Sequence, residues 1–242
     1  MSFTTLFAIA AGALATPSVS IVHSGLIERY CAEEAPTKPD PAVVAELDAR
    51  LPEFQAAWAK DGPRLMAETT RLTGRPYGFA ETEATLHGCP DISSMSAPLL
   101  INAVRFTRAW LVSPNPPPPP AGLGATRVPE GPRAVRPMAE FVHDLWHEVT
   151  HRYVHDIIAG LPGHTTPLLR KYAQESQVTR SHLHLLALDK LMSKRLGMAD
   201  AFEGQAAMFR SRGMQAYVRA FEIIEAEGAE KFVAELAVGM AR

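Results

Sequence analysis

Only two cysteines, Cys31 and Cys89, occur in the 242 residues, too few for a four-thiolate zinc site or a multi-bridge disulfide scaffold. No apolar run approaches the ~18 residues needed to cross a bilayer, so no transmembrane segment is expected. Neither sign of charge dominates: 24 Lys and Arg stand against 26 Asp and Glu, for a net charge of -2. That balance gives no electrostatic footprint for nucleic acid or an anionic membrane. With 47% hydrophobic and 21% charged residues the chain is an ordinary globular one, and wholesale disorder is excluded. No Lys or Arg precedes Arg29, so the basic start of a typical export signal is missing. The rest of such a signal is there: residues 6–15 (LFAIAAGALA) are apolar and end in Ala13-Leu14-Ala15, a small-residue cleavage pattern. We therefore expect residues 1–15 to be a signal peptide and the mature protein to be secreted or periplasmic, with a cytoplasmic location as the alternative. In an oxidising compartment Cys31 and Cys89 could pair; in a reducing one they would be buried thiols.

What the sequence has in excess is proline and histidine, 20 and 9 residues respectively, both concentrated late in the chain. Residues 18–25 (SVSIVHSG) read as a short strand. Residues 41–72 are helical in period, with Val43, Val44, Leu47, Leu51, Phe54 and Trp58 recurring at three- and four-residue spacings. Residues 74–90 are turn-rich, and residues 99–112 (LLINAVRFTRAWLV) have the branched and aromatic content of a strand. Residues 114–137 hold nine of the twenty prolines, including Pro116 to Pro120 unbroken, and form a polyproline connector or loop. Beyond it the pattern is helical throughout. One helix is expected over 138–159, a second over 167–196 behind the Thr166-Pro167 start signal, and shorter ones over 199–212, 214–226 and 229–240. The expected fold class is α+β: a mixed strand-and-helix half (16–113), a proline-rich joint, and an all-helical half (138–242).

Seven of the nine histidines lie between His143 and His184. At their centre is His147-Glu148-Val149-Thr150-His151, an HExxH segment inside a predicted helix. Two histidines four apart stand one turn apart on one face and can reach the same ion, and the glutamate beside them can take a proton from water that the ion activates. Imidazole and carboxylate donors with an open position suit zinc. The face shared by His147, His151, Val154 and Ile158 should point inward, where histidines need partners. His143 and His155 extend the row, but steps of four drift 40° each, so four rings cannot meet one ion. The outer two are expected to support the site or lie at the surface.

A zinc site needs a third protein ligand. The extended motif HExxHxxGxxH is absent, because Val154 and Ile157 occupy the positions where its glycine and third histidine would fall. On a continuous helix over 167–196, Glu175 shares a face with Leu168, Thr179, His182 and Leu186. Two ionisable groups on an otherwise apolar face suggest a common polar site. Glu175 is the expected ligand, since a carboxylate on an apolar face needs a cation more than a neutral imidazole does. His184 falls on the opposite side and is expected in solvent.

These residues resemble the zincin metallopeptidases, specifically the gluzincin branch, over roughly residues 141–190. The resemblance implies zinc held by His147, His151 and Glu175, peptide or protein substrates, and Glu148 as general base. It also implies a twisted sheet above the HExxH helix, with residues 99–112 as its edge strand. An oxyanion donor is implied as well, with His182 the candidate and Tyr172 behind it. The sequence departs from the branch at Thr179, where many members carry an acid four residues after the glutamate ligand. Two other readings are a non-catalytic metal-binding or metal-buffering protein using the histidine row, and a helical interaction domain binding no metal.

Overall fold

A computed structural model describes residues 16–112 and 134–237. The expected signal peptide and nearly all of the proline-rich connector lie outside those residues. The first described half runs β1 (Ser18–His23), α1 (Gly25–Glu34), α2 (Pro41–Thr73), β2 (Glu81–His87), β3 (Met95–Ser96), β4 (Leu99–Asn102) and the short α3 (Ala109–Val112). The second contains α4 (Met138–Ala159), α5 (Pro167–Lys171), α6 (Gln177–Leu196), α7 (Ala199–Ser211), α8 (Gln215–Glu227) and α9 (Ala229–Ala237). The class is α+β, a small mixed sheet combined with a predominance of helix.

The sheet order is β1-β2-β4-β3. The first three strands are parallel, with Ser18 opposite Glu81 and Thr85 opposite Leu100, and β3 closes one edge antiparallel to β4. Parallel neighbours need a long crossover, here supplied by α1 and α2 between β1 and β2. Asp40 starts α2 by accepting a hydrogen bond from the Ala42 amide, next to Pro41 in the first turn. Gly74, in the left-handed conformation at φ 69°, ends the helix where a side chain would be strained.

Two expectations about strands are corrected. The central strand β2 occupies part of the segment read as turn-rich. Its polar sequence, Glu81 to His87, conceals a strand whose Ala84, Leu86 and His87 are buried. The strand expected over 99–112 as an edge of the sheet stops at Asn102 and lies inside the sheet, between β2 and β3. The Asn102 side-chain Nδ2 donates to the Cys89 and Ile92 carbonyls at 2.9 and 2.7 Å, and its Oδ1 accepts from the Val104 amide, which turns the chain. The Glu46 carboxylate then accepts the Arg108 and Ala109 amides at 2.8 and 2.7 Å, a negative charge at the positive start of α3.

Helix α4 packs on α2 and contacts the sheet at β3 and β4. Phe54 on α2, Phe106 after β4 and Phe141 on α4 meet edge-to-face with centroids 4.8–6.4 Å apart. The buried Trp146 donates its indole N–H to Thr69 on α2 at 3.0 Å, and the Tyr153 hydroxyl donates to the Arg75 carbonyl at 2.8 Å. These contacts fix the rotation of α4 about its axis, and with it the direction of the HExxH face. One apolar cluster joins residues of both halves across this interface. Cys31 and Cys89 form a disulfide tying α1 to the end of β2.

The long helix expected over 167–196 is two helices. Thr166 caps α5 by accepting from the Leu169 amide, and Ser176 caps α6 by accepting from the Thr179 amide, so residues 172–176 form a turn between two capped helices. This break decides where Glu175 goes.

Candidate metal centre

His147 and His151 project from α4 toward α6, where His182 meets them. The potential ligand atoms of the three side chains lie within 4.8 Å of one another. His151 Nε2 and His182 Nε2 are 3.1 Å apart, and the ring centroids are 4.5 to 5.5 Å apart. Two nitrogens bound tetrahedrally at 2.0–2.1 Å are separated by about 3.3 Å, so this pair needs little movement to share an ion.

The state of the rings suits the same purpose. Burial holds the His151 imidazole down at about 3, helped by its proximity to His182, and burial holds His182 at about 4. His147 is displaced the same way, first by burial and then by the other histidines. All three are therefore neutral at pH 7, each with a lone pair to offer. His182 Nδ1–H donates to the Val178 carbonyl at 2.7 Å, which leaves Nε2 as the acceptor nitrogen facing the cluster. His147 Nδ1 is buried with no hydrogen-bond partner. Three neutral imidazoles converging in a buried site, with one ring nitrogen orphaned, are poorly satisfied by each other and well satisfied by a cation.

Glu148 lies beside them on the wall of a cavity of about 600 Å³ formed by the N-terminal half of α4, residues 93–94, α7 and Tyr217. Burial, with a smaller contribution from Asp144, raises the Glu148 carboxyl to about 8. A carboxyl so poised takes up protons readily, and a dication nearby would bring it back toward the ionised base. Tyr217 completes this wall. Its ring lies 4.4 Å from that of His182, and its phenol is pushed up to about 12 by burial and then by Glu148.

The remaining expected residues go elsewhere. Glu175 lies in the α5–α6 turn, where its Oε1 accepts from Arg219 Nε and Nη2 at 3.0 and 2.9 Å; it does not join the histidines. His182, expected as an oxyanion donor, is the third member of the cluster. Tyr172 donates to Glu227 at 2.6 Å, away from the site. His184 is not in solvent: it is 1% exposed and hydrogen-bonds Glu235 at 2.9 Å. His155 is at the surface, with 80% of its side chain exposed.

His143 has a defined partner that the sequence reading did not find. Its Nε2 lies 3.1 and 3.0 Å from the two oxygens of Asp189, which also accepts from the Ser193 hydroxyl at 3.1 Å. The geometry follows from antiparallel packing of α4 and α6. Stepping back eight residues from His151 to His143 matches stepping forward seven from His182 to Asp189 at 1.5 Å per residue. The signal was present as an Asp seven residues after a histidine on the same helical face. Tyr217 offered no comparable signal, because its helix shares no motif with α4.

No protein-family model matches the chain, and no curated protein or solved structure matches it significantly.

Proposed function

We propose that the protein is a zinc-dependent hydrolase of the metallopeptidase type, with His147, His151 and His182 as the metal ligands. The observation that carries this reading is the convergence of His182 on the HExxH pair, neutral and with Nε2 left as its acceptor nitrogen by the bond to Val178. Three protein ligands are what a catalytic zinc site requires, and they leave a fourth position open. The contact of the edge strand β3 with α4 supports the sheet-above-helix arrangement that the resemblance implies, made by β3 and not by residues 99–112.

A bound zinc would supply Lewis acidity toward the scissile carbonyl and an acidified water. The chain's own residues supply the rest. Glu148, on the cavity wall, accepts the proton of the attacking water and returns it to the leaving amine. Tyr217 stands over His182 with its phenol kept protonated, so it can donate to the oxygen that gains charge. The apolar packing of α4 on α2 keeps the ligand face fixed, so little reorganisation accompanies the reaction.

The dispersal of the histidine row argues against a metal-buffering role. Of the four on α4, His143 is committed to Asp189 and His155 faces outward, so the row does not converge on several ions. Export fits the apolar stretch ending at Ala15 together with the Cys31–Cys89 disulfide. The functional reading is tested by incubating zinc-loaded protein and its Glu148→Gln variant with a mixed peptide library. Cleavage by the first and not the second supports it; equal cleavage, or none by either, refutes it.

A further inference from the structure

The cavity does not end at the metal centre. It continues along the N-terminal half of α4 past His143, whose pairing with Asp189 has a consequence for what the cavity accepts. Asp189 is 0% exposed, and its only hydrogen-bonding partners among the described residues are His143 and Ser193. A fully buried carboxylate requires a cation, and His143 is the group that can provide it. Although burial works against the charged ring, the charge and hydrogen bonding of Asp189 prevail and hold the His143 imidazole above its ordinary range. With Nε2 turned to Asp189, Nδ1 is the nitrogen left to face the cavity, where 16% of the His143 side chain remains exposed.

Charges of both signs surround His143, and Arg105 and Arg212 also line the cavity. Glu140 and Asp144 on the same wall are both held by Arg136, at 2.6 Å and at 2.5 and 3.1 Å. The result is an imidazole N–H on rigid helix, whose protonated form is favoured by the buried carboxylate behind it.

We infer that the His143–Asp189 pair is a subsite for a carboxylate on the substrate. The inference rests on the hydrolase reading only for the word substrate; the anion site itself needs no metal. His143 precedes His147 by one turn, about 6 Å along the axis. An extended peptide advances ~3.3–3.6 Å per residue, so the carboxylate recognised here belongs one or two residues from the reacting carbonyl. It is either the C-terminal carboxylate of a short peptide or the side chain of an Asp or Glu near the cleaved bond.

Three peptides separate these sources: acetyl-tetraalanine with a free C-terminus, the same peptide amidated, and an amidated acetyl-tetrapeptide with one alanine replaced by glutamate. Calorimetric titration into Glu148→Gln protein, both metal-free and zinc-loaded, measures binding without turnover. A hydrogen bond to a charged group is worth ~1.5–3 kcal/mol, so at least one acidic peptide should bind roughly 10- to 100-fold tighter than the neutral amide. Adding His143→Gln should abolish that preference, as should Asp189→Asn at pH 8, where the unsupported imidazole is neutral. The Asp189→Asn variant keeps the side-chain shape if the glutamine disturbs packing. Equal or undetectable affinities for all three peptides, or a preference that survives both variants, would overturn the subsite. A carboxylate preference in protein that holds no zinc and cleaves nothing would retain the subsite and reject the hydrolase.

Discussion

Metal-free protein should lose stability when the pH falls from 7 to 5, in a range where carboxylates with lowered pKa values are not yet involved. His151, His182 and the fully buried His87 sit near 3, 4 and 4, each displaced chiefly by burial, against about 6.5 in an unfolded chain. A histidine depressed on folding contributes stability above its unfolded value and forfeits it as acid charges the unfolded chain first. At pH 5 each of the three costs ~2 kcal/mol, and together about 5 kcal/mol more than at pH 7. His147 adds in the same direction. Glu148 opposes them: held near 8, it favours the folded state more strongly as the pH falls toward its unfolded value, returning about 2.5 kcal/mol over the same interval. These four leave a net loss of about 3 kcal/mol, where a domain typically has 5–15 kcal/mol. His147 adds to that loss, and His23 and His143 subtract from it, because both are raised and take up their protons first in the folded protein. Urea unfolding with a chelator at pH 7, 6 and 5 measures it, and His87→Leu should remove about 2 kcal/mol of the drop. Glu227 and Glu235, which are lowered, lose their contributions only below about pH 4.5. A stability that is flat or rises between pH 7 and 5 would refute the assignment of buried, neutral imidazoles.

Three further outcomes follow from the same geometry. Glu148→Gln should keep its zinc and lose peptide hydrolysis by ~10²–10⁴, measured as turnover at saturating substrate. Tyr217→Phe, which removes only the phenolic hydroxyl, should leave zinc content unchanged and lower turnover by ~10²–10³; turnover equal to wild type would remove Tyr217 from the mechanism. Cys31 and Cys89 are 58 residues apart, so replacing both by serine should cost about 4 kcal/mol by loop-closure entropy, read as a lowered urea midpoint.

Much of the fold was legible where a single period ran uninterrupted. Helix α4 matches its expected bounds, and α2 differs by one residue, because each combines apolar periodicity with a marked start or stop. The strands were harder. β2 carries two glutamates and two threonines in seven residues and becomes a strand by pairing on both sides, a tertiary fact that no local pattern states. Leu99 to Val112 has strand composition throughout, yet the Asn102 side chain and the Glu46 cap divide it.

The candidate site was half legible. The HExxH pair and its glutamate could be read from spacing alone, whereas the partner on the second helix depended on whether that helix was continuous. Ser176, whose hydroxyl accepts from the Thr179 amide, is the N-cap residue that starts α6 and breaks the helix there. With the break in place, Glu175 leaves the face of His182 and is held by Arg219, and the residue expected to stabilise charge stands among the ligands instead. Asp189 and Tyr217 became visible only once antiparallel packing and the α8 position were known.

The central claim is that His182, and not Glu175, completes the metal centre. Zinc stoichiometry of purified wild-type, His182→Ala and Glu175→Ala proteins, measured by elemental analysis after equal zinc exposure and desalting, tests it most directly. The account predicts about one zinc per chain for wild type and Glu175→Ala, and a largely metal-depleted His182→Ala. A depleted Glu175→Ala beside a replete His182→Ala, or no zinc in the wild type, would contradict it.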